Sequence, residues 1–239
     1  MNDHMRLVET GDGSLTLYHE KYSEEFHSRG GALTESRELY INASGFGDAS
    51  CSFGSIEVLD VGLGLGYNAL TTIDAWVSNG TKCDLRIISL EKDSFLVGQI
   101  VGGDAPWMRG WSDGWRRFSR FLRPVKGGYK ALWRSPTGAL LTWVVMEGNA
   151  QDIAWDSEVD RGINYVWQDA FSPSKNPELW GYEWFSRLRD NASPTGMTLM
   201  SYSVARGVRD ALLSAGYHVE KINAYGAKRH WLKSLYQKN

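Results

Sequence analysis

The chain has few of the residues that build disulfide frameworks or metal sites, and it has no long apolar run. Its two cysteines, Cys51 and Cys83, stand apart from any histidine cluster or second cysteine pair at metal-ligand spacing, so we expect free, reduced thiols and no metal. No apolar run approaches the roughly 18–20 residues of a membrane span, and the first residues lack a secretory signal pattern. These absences predict a soluble, cytoplasmic protein without a membrane partner.

The chain also has little net charge, but the charge is unevenly distributed. A net charge of −2 argues on average against a nucleic-acid partner, because such binding depends on phosphate neutralisation. Between Gly103 and Ala139, however, eight basic residues stand against two acidic ones, and from Lys221 to the end there are five basic residues and no acid. Two segments are therefore strongly basic within a nearly neutral chain.

The first basic segment is rich in aromatic residues, which leaves two interpretations open. The mixture is typical of surfaces that hold phosphates and exposed bases together. It also fits an amphipathic helix with a solvated face and an aromatic core side, since several of the aromatic residues follow helical spacing. The aromatic residues are Trp107, Trp111, Trp115, Phe118, Phe121 and Trp133.

Short β-rich runs alternate with helical runs from Ile56 onward, which predicts an α/β fold with a seven-stranded, mostly parallel sheet and helices on both faces. The predicted strands are Ile56–Val61, Leu85–Leu90, Leu140–Met146, Asn164–Gln168, Met197–Tyr202, Tyr217–Ile222 and His230–Leu235. The predicted helices are Tyr67–Asn79, Glu178–Asp190 and Val204–Ala215.

Two regions do not fit this alternation, and they define the expected domain organisation. We expect residues 56–239 to form the main domain and residues 1–55 to pack over the side where the ligand binds. The basic, aromatic insertion at about 93–139 is placed above the sheet as well. No internal repeat or low-complexity tract interrupts either part.

A glycine-rich turn follows the first predicted strand, in residues 57–68, EVLDVGLGLGYN. Glycines there let the backbone approach a ligand closely, and the following helix N-terminus offers unpaired N–H groups. The pattern D-x-G-x-G-x-G resembles the first motif of class I S-adenosylmethionine (SAM) methyltransferases, which have a Rossmann-like sheet. A dinucleotide fingerprint fits less well, because its third glycine would stand where Tyr67 does. The candidate cofactor-binding residues are Asp60, Gly62, Gly64, Gly66 and Asn68.

The next two strands end on further polar residues that suit a nucleoside. Glu91 stands where an acid would reach both ribose hydroxyls of a cofactor lying across the first strands. Asn149 or Asp152 follows the third strand and could hydrogen-bond an adenine amino group. The structural alternatives are an ion pair for Glu91 with a neighbour such as Lys92 and a helix cap for Asn149.

The fourth predicted strand runs into an acid and then into a segment bracketed by prolines, in INYVWQDAFSPSKNPELW. Pro173 and Pro177 exclude regular structure there, so the segment reads as the wall of a site at the carboxyl end of the strand. Asp169 is the candidate catalytic residue, because a carboxylate can orient an ammonium group and accept its proton.

With these motifs in place, the sequence resembles the SAM-dependent domain of MnmC-type tRNA modification enzymes. The matching stretches run nearly end to end, and D-x-F-x-P-x-K-N-P-E-x-W at the fourth strand is the most specific of them. They are DGSLTLYHEKYSEEFHSRGGALTESRELYI, VLDVGLGLGYN, LEKD, QDAFSPSKNPELW, SVARGVRDALLSAGYHV and GAKRHWL. The chain has no sequence like that family's FAD-dependent oxidase domain, so it resembles the stand-alone form.

The resemblance implies SAM-dependent methylation of the 5-aminomethyl group on the tRNA wobble (thio)uridine, with a separate enzyme as a possible source of that amine. Phe171 would then stack on the modified base, and Glu35 and Arg37 would close over the methionyl end of SAM. Lys228 and Arg229 would contact phosphates of the anticodon region. Surface ion pairs or solvated charge are the alternatives for Glu35, Arg37 and the last two residues, and an internal structural role is favoured for Lys175 and Asn176.

Three departures from the family pattern leave other functions open. Asn149 stands where the family usually has Asp, His230-Trp231 replaces Glu-Met near the end, and the 93–139 insertion matches poorly. The alternatives are methylation of another amine, in a small molecule or a nucleobase, and a non-catalytic SAM-binding or RNA-binding adaptor. An NAD-linked oxidoreductase is disfavoured by the glycine spacing.

Overall fold

The N-terminal part of the chain forms a small sheet followed by short helical turns. A computed structural model describes residues 4–49, 54–103, 105–224 and 229–238. The small antiparallel sheet and its helices comprise β1 (Met5–Glu9), β2 (Leu15–His19), β3 (Glu24–Glu25), α1 (Ala32–Glu35), a π-helix (Ser36–Asn42) and α2 (Phe46–Ala49).

The rest of the chain builds a nine-stranded sheet with helices between its strands. Its strands are β4 (Ser55–Val61), β5 (Asp84–Glu91), β6 (Arg123–Val125), β7 (Gly128–Arg134), β8 (Leu140–Glu147), β9 (Tyr165–Gln168), β10 (Met197–Ser201), β11 (His218–Asn223) and β12 (His230–Tyr236). The helices are α3 (Tyr67–Ser78), α4 (Ser94–Gly102), α5 (Asp113–Ser119), α6 (Tyr182–Asp190) and α7 (Arg206–Ser214), with 3₁₀ turns at Pro106–Gly110, Trp155–Glu158 and Pro177–Leu179.

The centre of the sheet is parallel and both of its faces are buried. The strand order is β11-β12-β10-β9-β4-β5-β8-β7-β6, in which the five strands from β10 to β8 are parallel and the edges are antiparallel. Successive apolar residues of β4 belong to opposite cores, since Val58 packs in one cluster and Leu59 in the other. Near-continuous apolar runs are typical of parallel strands covered on both faces. Helices and the N-terminal region therefore cover both faces.

The predicted α/β fold is confirmed, with two corrections to its elements. All seven predicted strands are present, each within one residue of its predicted ends. The first correction is that residues 123–134 of the insertion form the edge strands β6 and β7, whereas the insertion was placed above the sheet. The sequence does not predict this hairpin, because an exposed edge strand does not need an apolar run. The segment instead contains basic residues, Pro124 and a Gly127-Gly128 turn.

The second correction concerns the helix predicted over Glu178–Asp190. The structure has a 3₁₀ turn at Pro177–Leu179, an extended residue at Gly181 (φ −99°, ψ 173°) and only then α6. Pro177 fits the first position of a helical turn, and Gly181 resets the backbone before α6 begins. The break keeps the proline-framed segment separate from α6.

Neither a membrane span nor a metal cluster is found in the part of the chain that the structure describes. No helix there is long and apolar enough to cross a membrane. No three histidine, cysteine or acidic side chains there come together in a way that could hold a metal ion.

Candidate active site

A cavity of about 770 Å³ lies at the carboxyl ends of the central parallel strands. One side is formed by the loops that follow β4, β5, β8 and β9, and the other by the segment from His19 to Glu35. The residues used below that line it are His19, Tyr22, Glu24, Phe26, Glu35, Gly62, Gly64, Glu91, Asn149, Asp169, Phe171 and Tyr202. Ligands of parallel α/β folds bind at this edge of the sheet, which is where the sequence placed the site.

The glycine loop lets two strand ends approach each other at this cavity. Gly62 has φ 89°, and a Cβ atom there would lie 2.9 Å from the backbone oxygen of Asp169. Gly64 has φ 52°, and a Cβ atom there would lie 3.2 Å from the Phe26 ring. A side chain at Gly62 would push the loop away from Asp169, so glycine is required by geometry as well as by backbone conformation.

Glu91 ties the glycine loop to the end of β5. Its Oε2 accepts a hydrogen bond from the Gly64 amide at 2.9 Å, and its Oε1 accepts one from the Asp93 amide at 2.8 Å. Burial raises the pKa of Glu91, and these two backbone donors partly offset that effect. Each carboxylate oxygen keeps a second lone pair, so the side chain can still accept from a hydroxyl group in the cavity.

Asp60 lies beneath the glycine loop and is fully buried. Its Oδ2 accepts a hydrogen bond from the Ser89 hydroxyl at 2.8 Å, whereas Oδ1 has no hydrogen-bond partner among the described residues. Burial is the main cause that raises the pKa of Asp60 to about 8, and the nearby Asp169 and Glu91 charges add to it. The residue is not among those that line the cavity, so any contact with a bound cofactor would be indirect.

The residues at the cavity fit a nucleoside cofactor such as SAM. Gly62 and Gly64 line the cavity without side chains, and Glu91 offers acceptors for hydroxyl groups. Asn149 is exposed at the cavity, where its amide nitrogen donates to Asp152 Oδ2 at 3.0 Å. Its amide oxygen is the acceptor that remains for an adenine amino group.

Asp169 is held at the cavity by its backbone and by its side chain. Its amide donates to the Val61 oxygen at 3.0 Å, which continues the β4–β9 pairing by one residue. Its Oδ2 accepts a hydrogen bond from Asn68 Nδ2 at 2.7 Å. Asn68 and Gly66 were predicted to bind the cofactor, but both lie outside the cavity lining, and the Asn68 side chain reaches Asp169 instead.

Phe171 belongs to an aromatic cluster that the N-terminal region completes. Its ring stacks on Tyr22 with centroids 4.5 Å apart and meets Phe26 at 4.9 Å and His19 at 5.9 Å. The Lys92 ammonium lies 4.9 Å from the Tyr22 ring centroid. The sequence prediction missed these N-terminal partners, although the aromatic spacing in YHEKYSEEF was the available signal.

The segment after Asp169 is fixed by hydrogen bonds to its backbone. Trp180 Nε1 donates to the Phe171 oxygen, and the Tyr202 hydroxyl donates to the Ala170 oxygen, each at 2.9 Å. Asn176 is buried and donates to Glu178 Oε1 at 3.1 Å, whereas Lys175 is exposed. The structural role predicted for Asn176 therefore agrees with its surroundings.

The remaining predicted substrate-side residues are not all brought to the cavity. Glu35 lines it and accepts a hydrogen bond from the Ser28 amide at 2.7 Å. Arg37 points elsewhere, to Asp74 at 3.4 Å and over the Trp115 ring at 5.9 Å, which is the ion-pair alternative. Arg229 is exposed, and it precedes β12 at the edge of the sheet where β10 ends. Lys228 lies outside the described residues.

The basic insertion has its aromatic side in the core and its basic side in solvent. Trp107, Trp111 and Trp115 are buried, and Trp107 Nε1 donates to the Leu65 oxygen at 3.1 Å. These three rings are not available to stack on bases. The side chains of Arg117 and Arg120 are exposed to solvent.

Comparisons with known proteins agree with this geometry. A family model described as S-adenosyl-L-methionine-dependent methyltransferase matches residues 137–237. The protein "tRNA 5-methylaminomethyl-2-thiouridine biosynthesis bifunctional protein MnmC" of Aromatoleum aromaticum is 26% identical over 245 residues, covering 98% of this chain and 36% of that protein. The protein of the same name from Ralstonia nicotianae is 28% identical over 221 residues, covering 90% and 32%. The chain thus spans about a third of the length of these relatives.

A solved structure matches the fold of nearly all of this chain. The crystal structure of MNMC2 from Aquifex aeolicus superposes with a TM-score of 0.74 and 27% identity, covering 96% of this chain and 70% of that one. The sheet order, the glycine loop and the cavity define a class I SAM-dependent methyltransferase. Within that class, the chain is similar to the MnmC-type methyltransferases.

Proposed function

We propose that this protein methylates the primary amine of the 5-aminomethyl group on the wobble (thio)uridine of tRNA, with SAM as the methyl donor. One observation carries the proposal: the glycine loop and Glu91 share a single cavity with Asp169 and Phe171. A nucleoside cofactor and an amine on an aromatic base would therefore meet in one space. The names of the MnmC relatives and the near-complete coverage of this chain support the substrate.

Each group at the cavity has a part in this function. Gly62 and Gly64 bring the backbone close to the cofactor, and Glu91 accepts from its ribose hydroxyls. Asn149 accepts from the adenine amino group. Phe171, with Tyr22 and Phe26 beside it, offers an aromatic surface for the base that carries the amine.

Asp169 prepares the acceptor nitrogen. SAM supplies an electrophilic methyl group when it is bound. An alkylamine resembles lysine, with a pKa of about 10.4, so it reaches the site as ammonium and has to lose a proton before its lone pair can react. The Asp169 carboxylate orients the ammonium through a charge-assisted hydrogen bond and accepts the proton directly or through water. Orientation is its primary role, because a carboxylate also raises the pKa of a neighbouring ammonium.

The tRNA partner is supported by exposed basic residues. Arg117, Arg120 and Arg123 line a shallow groove with Arg116 and Phe121. Arg229 is exposed and precedes β12 at the edge of the sheet where β9 and β10 end, which is the edge at which the cavity lies. Phosphates of the anticodon region would contact these positive charges. With tRNA as its substrate, the enzyme would act in the cytoplasm.

The test is methyl transfer from SAM to tRNA that carries the aminomethyl group. We expect mass spectrometry of the nucleosides to show the precursor converted to its methylaminomethyl form. Asp169→Ala should bind SAM with unchanged affinity by calorimetry and lose at least about 100-fold in turnover, the scale typical of a lost acid–base group. Asp210→Asn, an exposed acid on α7, is the matched control and should keep normal turnover.

Two results would contradict the proposal in different ways. Full turnover by Asp169→Ala would remove the catalytic assignment while leaving the substrate intact. Methylation of free small amines, with no transfer to the modified tRNA, would favour a small-molecule methyltransferase. The acidic groups Glu24 and Glu35 at the cavity are the feature that favours this second candidate.

A further inference from the structure

A buried chain of hydrogen bonds leads from the N-terminal π-helix to Asp169. The Ser36 hydroxyl donates to Asn68 Oδ1 at 2.6 Å, and Asn68 Nδ2 donates to Asp169 Oδ2 at 2.7 Å. Ser36 is 1% exposed and Asn68 is 3% exposed, so solvent does not compete for these bonds. The Ser36 and Thr71 hydroxyl oxygens are also 3.0 Å apart.

The donors and acceptors in this series of hydrogen bonds can be arranged in only one way. An ionised carboxylate accepts hydrogen bonds and donates none, so the amide nitrogen of Asn68 has to face Asp169. The amide oxygen then faces Ser36, whose hydroxyl has to donate its proton to it. Removing the Ser36 hydroxyl would leave the buried amide oxygen without its donor, so the amide would be held only from the Asp169 side.

The π-helix brings a second buried side chain next to the same carboxylate. Tyr40, four residues after Ser36, is 1% exposed. Burial raises the pKa of Tyr40 well above its usual range, and the charge of nearby Asp169 raises it further. Turns of π-helix are often found at functional sites, where the wider turn redirects side chains. Here the π-helix presents both Ser36 and Tyr40 toward the region behind Asp169.

We propose that Asn68 is a positioning residue that holds the Asp169 carboxylate in the orientation it uses toward the substrate amine, and that Ser36 fixes the Asn68 amide. This inference rests on the proposed function of Asp169. It replaces the cofactor-binding role predicted for Asn68 from its place after the glycine loop. It also gives the N-terminal region a role in catalysis, because Ser36 acts on Asp169 through Asn68.

The test compares Asn68→Ala and Ser36→Ala with Thr72→Val. Thr72 is buried on the same helix, where its hydroxyl donates to the Asn68 backbone oxygen at 2.7 Å and accepts from Trp167 Nε1 at 2.9 Å. Thr72→Val therefore breaks buried hydrogen bonds on the same helix, one of them to the Asn68 backbone, without removing any side-chain atom that links Ser36, Asn68 and Asp169. Ser36→Ala keeps Asn68 in place and serves if Asn68→Ala fails to fold.

We expect Asn68→Ala to lower kcat about 10- to 100-fold, which corresponds to the loss of one hydrogen bond to a charged group, with a smaller effect on the KM for tRNA. Ser36→Ala should lower kcat about threefold to tenfold, in line with an indirect effect. Both variants should bind SAM with wild-type affinity in calorimetry. Thr72→Val should lose stability without this selective loss of kcat.

A second measurement does not depend on the substrate. The carboxyl ¹³C resonance of Asp169, assigned by its absence in Asp169→Asn, should move in Asn68→Ala and Ser36→Ala and stay in place in Thr72→Val. Loss of SAM affinity with normal kcat in Asn68→Ala would make Asn68 a cofactor ligand and overturn the inference. Equal losses of kcat in Asn68→Ala, Ser36→Ala and Thr72→Val would overturn the inference too. If the wild-type protein transferred no methyl group to tRNA, the proposed function would fail, and the resonance would still decide whether Asn68 orients Asp169.

Discussion

Burial changes the pKa values of single residues at this site, and Asp60 is the clearest case. Its carboxyl group is fully buried with one hydrogen-bond donor, the Ser89 hydroxyl, among the described residues. A buried carboxylate with so little compensation is costly, which is why the pKa of Asp60 rises to about 8. Near neutral pH the group is mostly protonated in the folded chain and ionised in the unfolded chain.

This shift predicts a dependence of stability on pH that the variant Asp60→Asn should lack. The folded pKa of Asp60 is about 8 against an ordinary value of 3.8, so the folded state holds a proton that the unfolded state has lost between these values. The stabilisation from Asp60 is complete below the ordinary value and is lost as pH rises through the folded value. We expect the unfolding free energy of the wild type to fall relative to Asp60→Asn by at most about 1.4 kcal/mol per pH unit in this window.

Urea unfolding of the two proteins without cofactor, from about pH 5 to about pH 8, measures this difference. Asp210→Asn is the control, because Asp210 is exposed and its change should leave the pH profile of the wild type unaltered. Parallel profiles for the wild type and Asp60→Asn would show that Asp60 ionises normally in the folded state.

At the scale of elements, the N-terminal sheet is joined to the proline-framed wall. Glu24 of β3 accepts hydrogen bonds from the Ser172 hydroxyl and, at 3.3 Å, from the Ser172 amide. Phe26, just after β3, packs against Phe171 at 4.9 Å. Residues about 148 positions apart thus form one wall of the cavity. The N-terminal sheet keeps Phe171 in place where the base would stack.

Removing the Glu24 carboxylate should loosen this wall without affecting the cofactor side. In Glu24→Ala we expect faster amide exchange in residues 170–176 and a rise of about fivefold to 50-fold in the KM for tRNA, because Phe171 loses its support. SAM affinity should be unchanged. Glu20→Ala is the control, since Glu20 is exposed in the turn that follows β2. Wild-type exchange rates in Glu24→Ala would mean that the prolines alone hold the segment.

The sequence predicted those features of the structure that depend on residues close together in the chain. The apolar run of β4, the glycines after it and the acid after β9 each follow from neighbouring residues, and all are found where they were expected. The contacts of Tyr22 with Phe171 and of Asn68 with Asp169 depend on the packing of distant segments. The aromatic spacing around Tyr22 indicates a cluster of rings but not its partner Phe171, and nothing in the sequence pairs Asn68 with Asp169, so these two contacts appear only in the folded chain.

At the scale of the whole molecule, basic charge is concentrated on surfaces away from the core. Arg116 is committed to structure, because its guanidinium donates to the Met108 oxygen at 2.8 Å and 3.2 Å. Arg123 likewise donates to the Arg120 oxygen at 2.6 Å. The guanidinium groups of Arg117 and Arg120 make no backbone hydrogen bond within the described residues and are exposed to solvent. These two side chains are therefore the best probes of phosphate contact.

Reversing both charges should weaken tRNA binding and make the binding constant less dependent on salt concentration. Each phosphate contact contributes about 0.7 to the slope of log K against log salt for single strands and about 0.9 for duplexes. Arg117→Glu with Arg120→Glu should therefore lower the slope by about 1.4–1.8 and leave methyl transfer at saturating tRNA unchanged. Lys82→Glu with Arg161→Glu is the matched double reversal, since both residues are exposed and precede β5 and β9 at the end of the sheet opposite the cavity. If both pairs changed the slope equally, the effect would come from overall charge, and an unaltered slope in the first pair would assign its arginines to a solvated helix face.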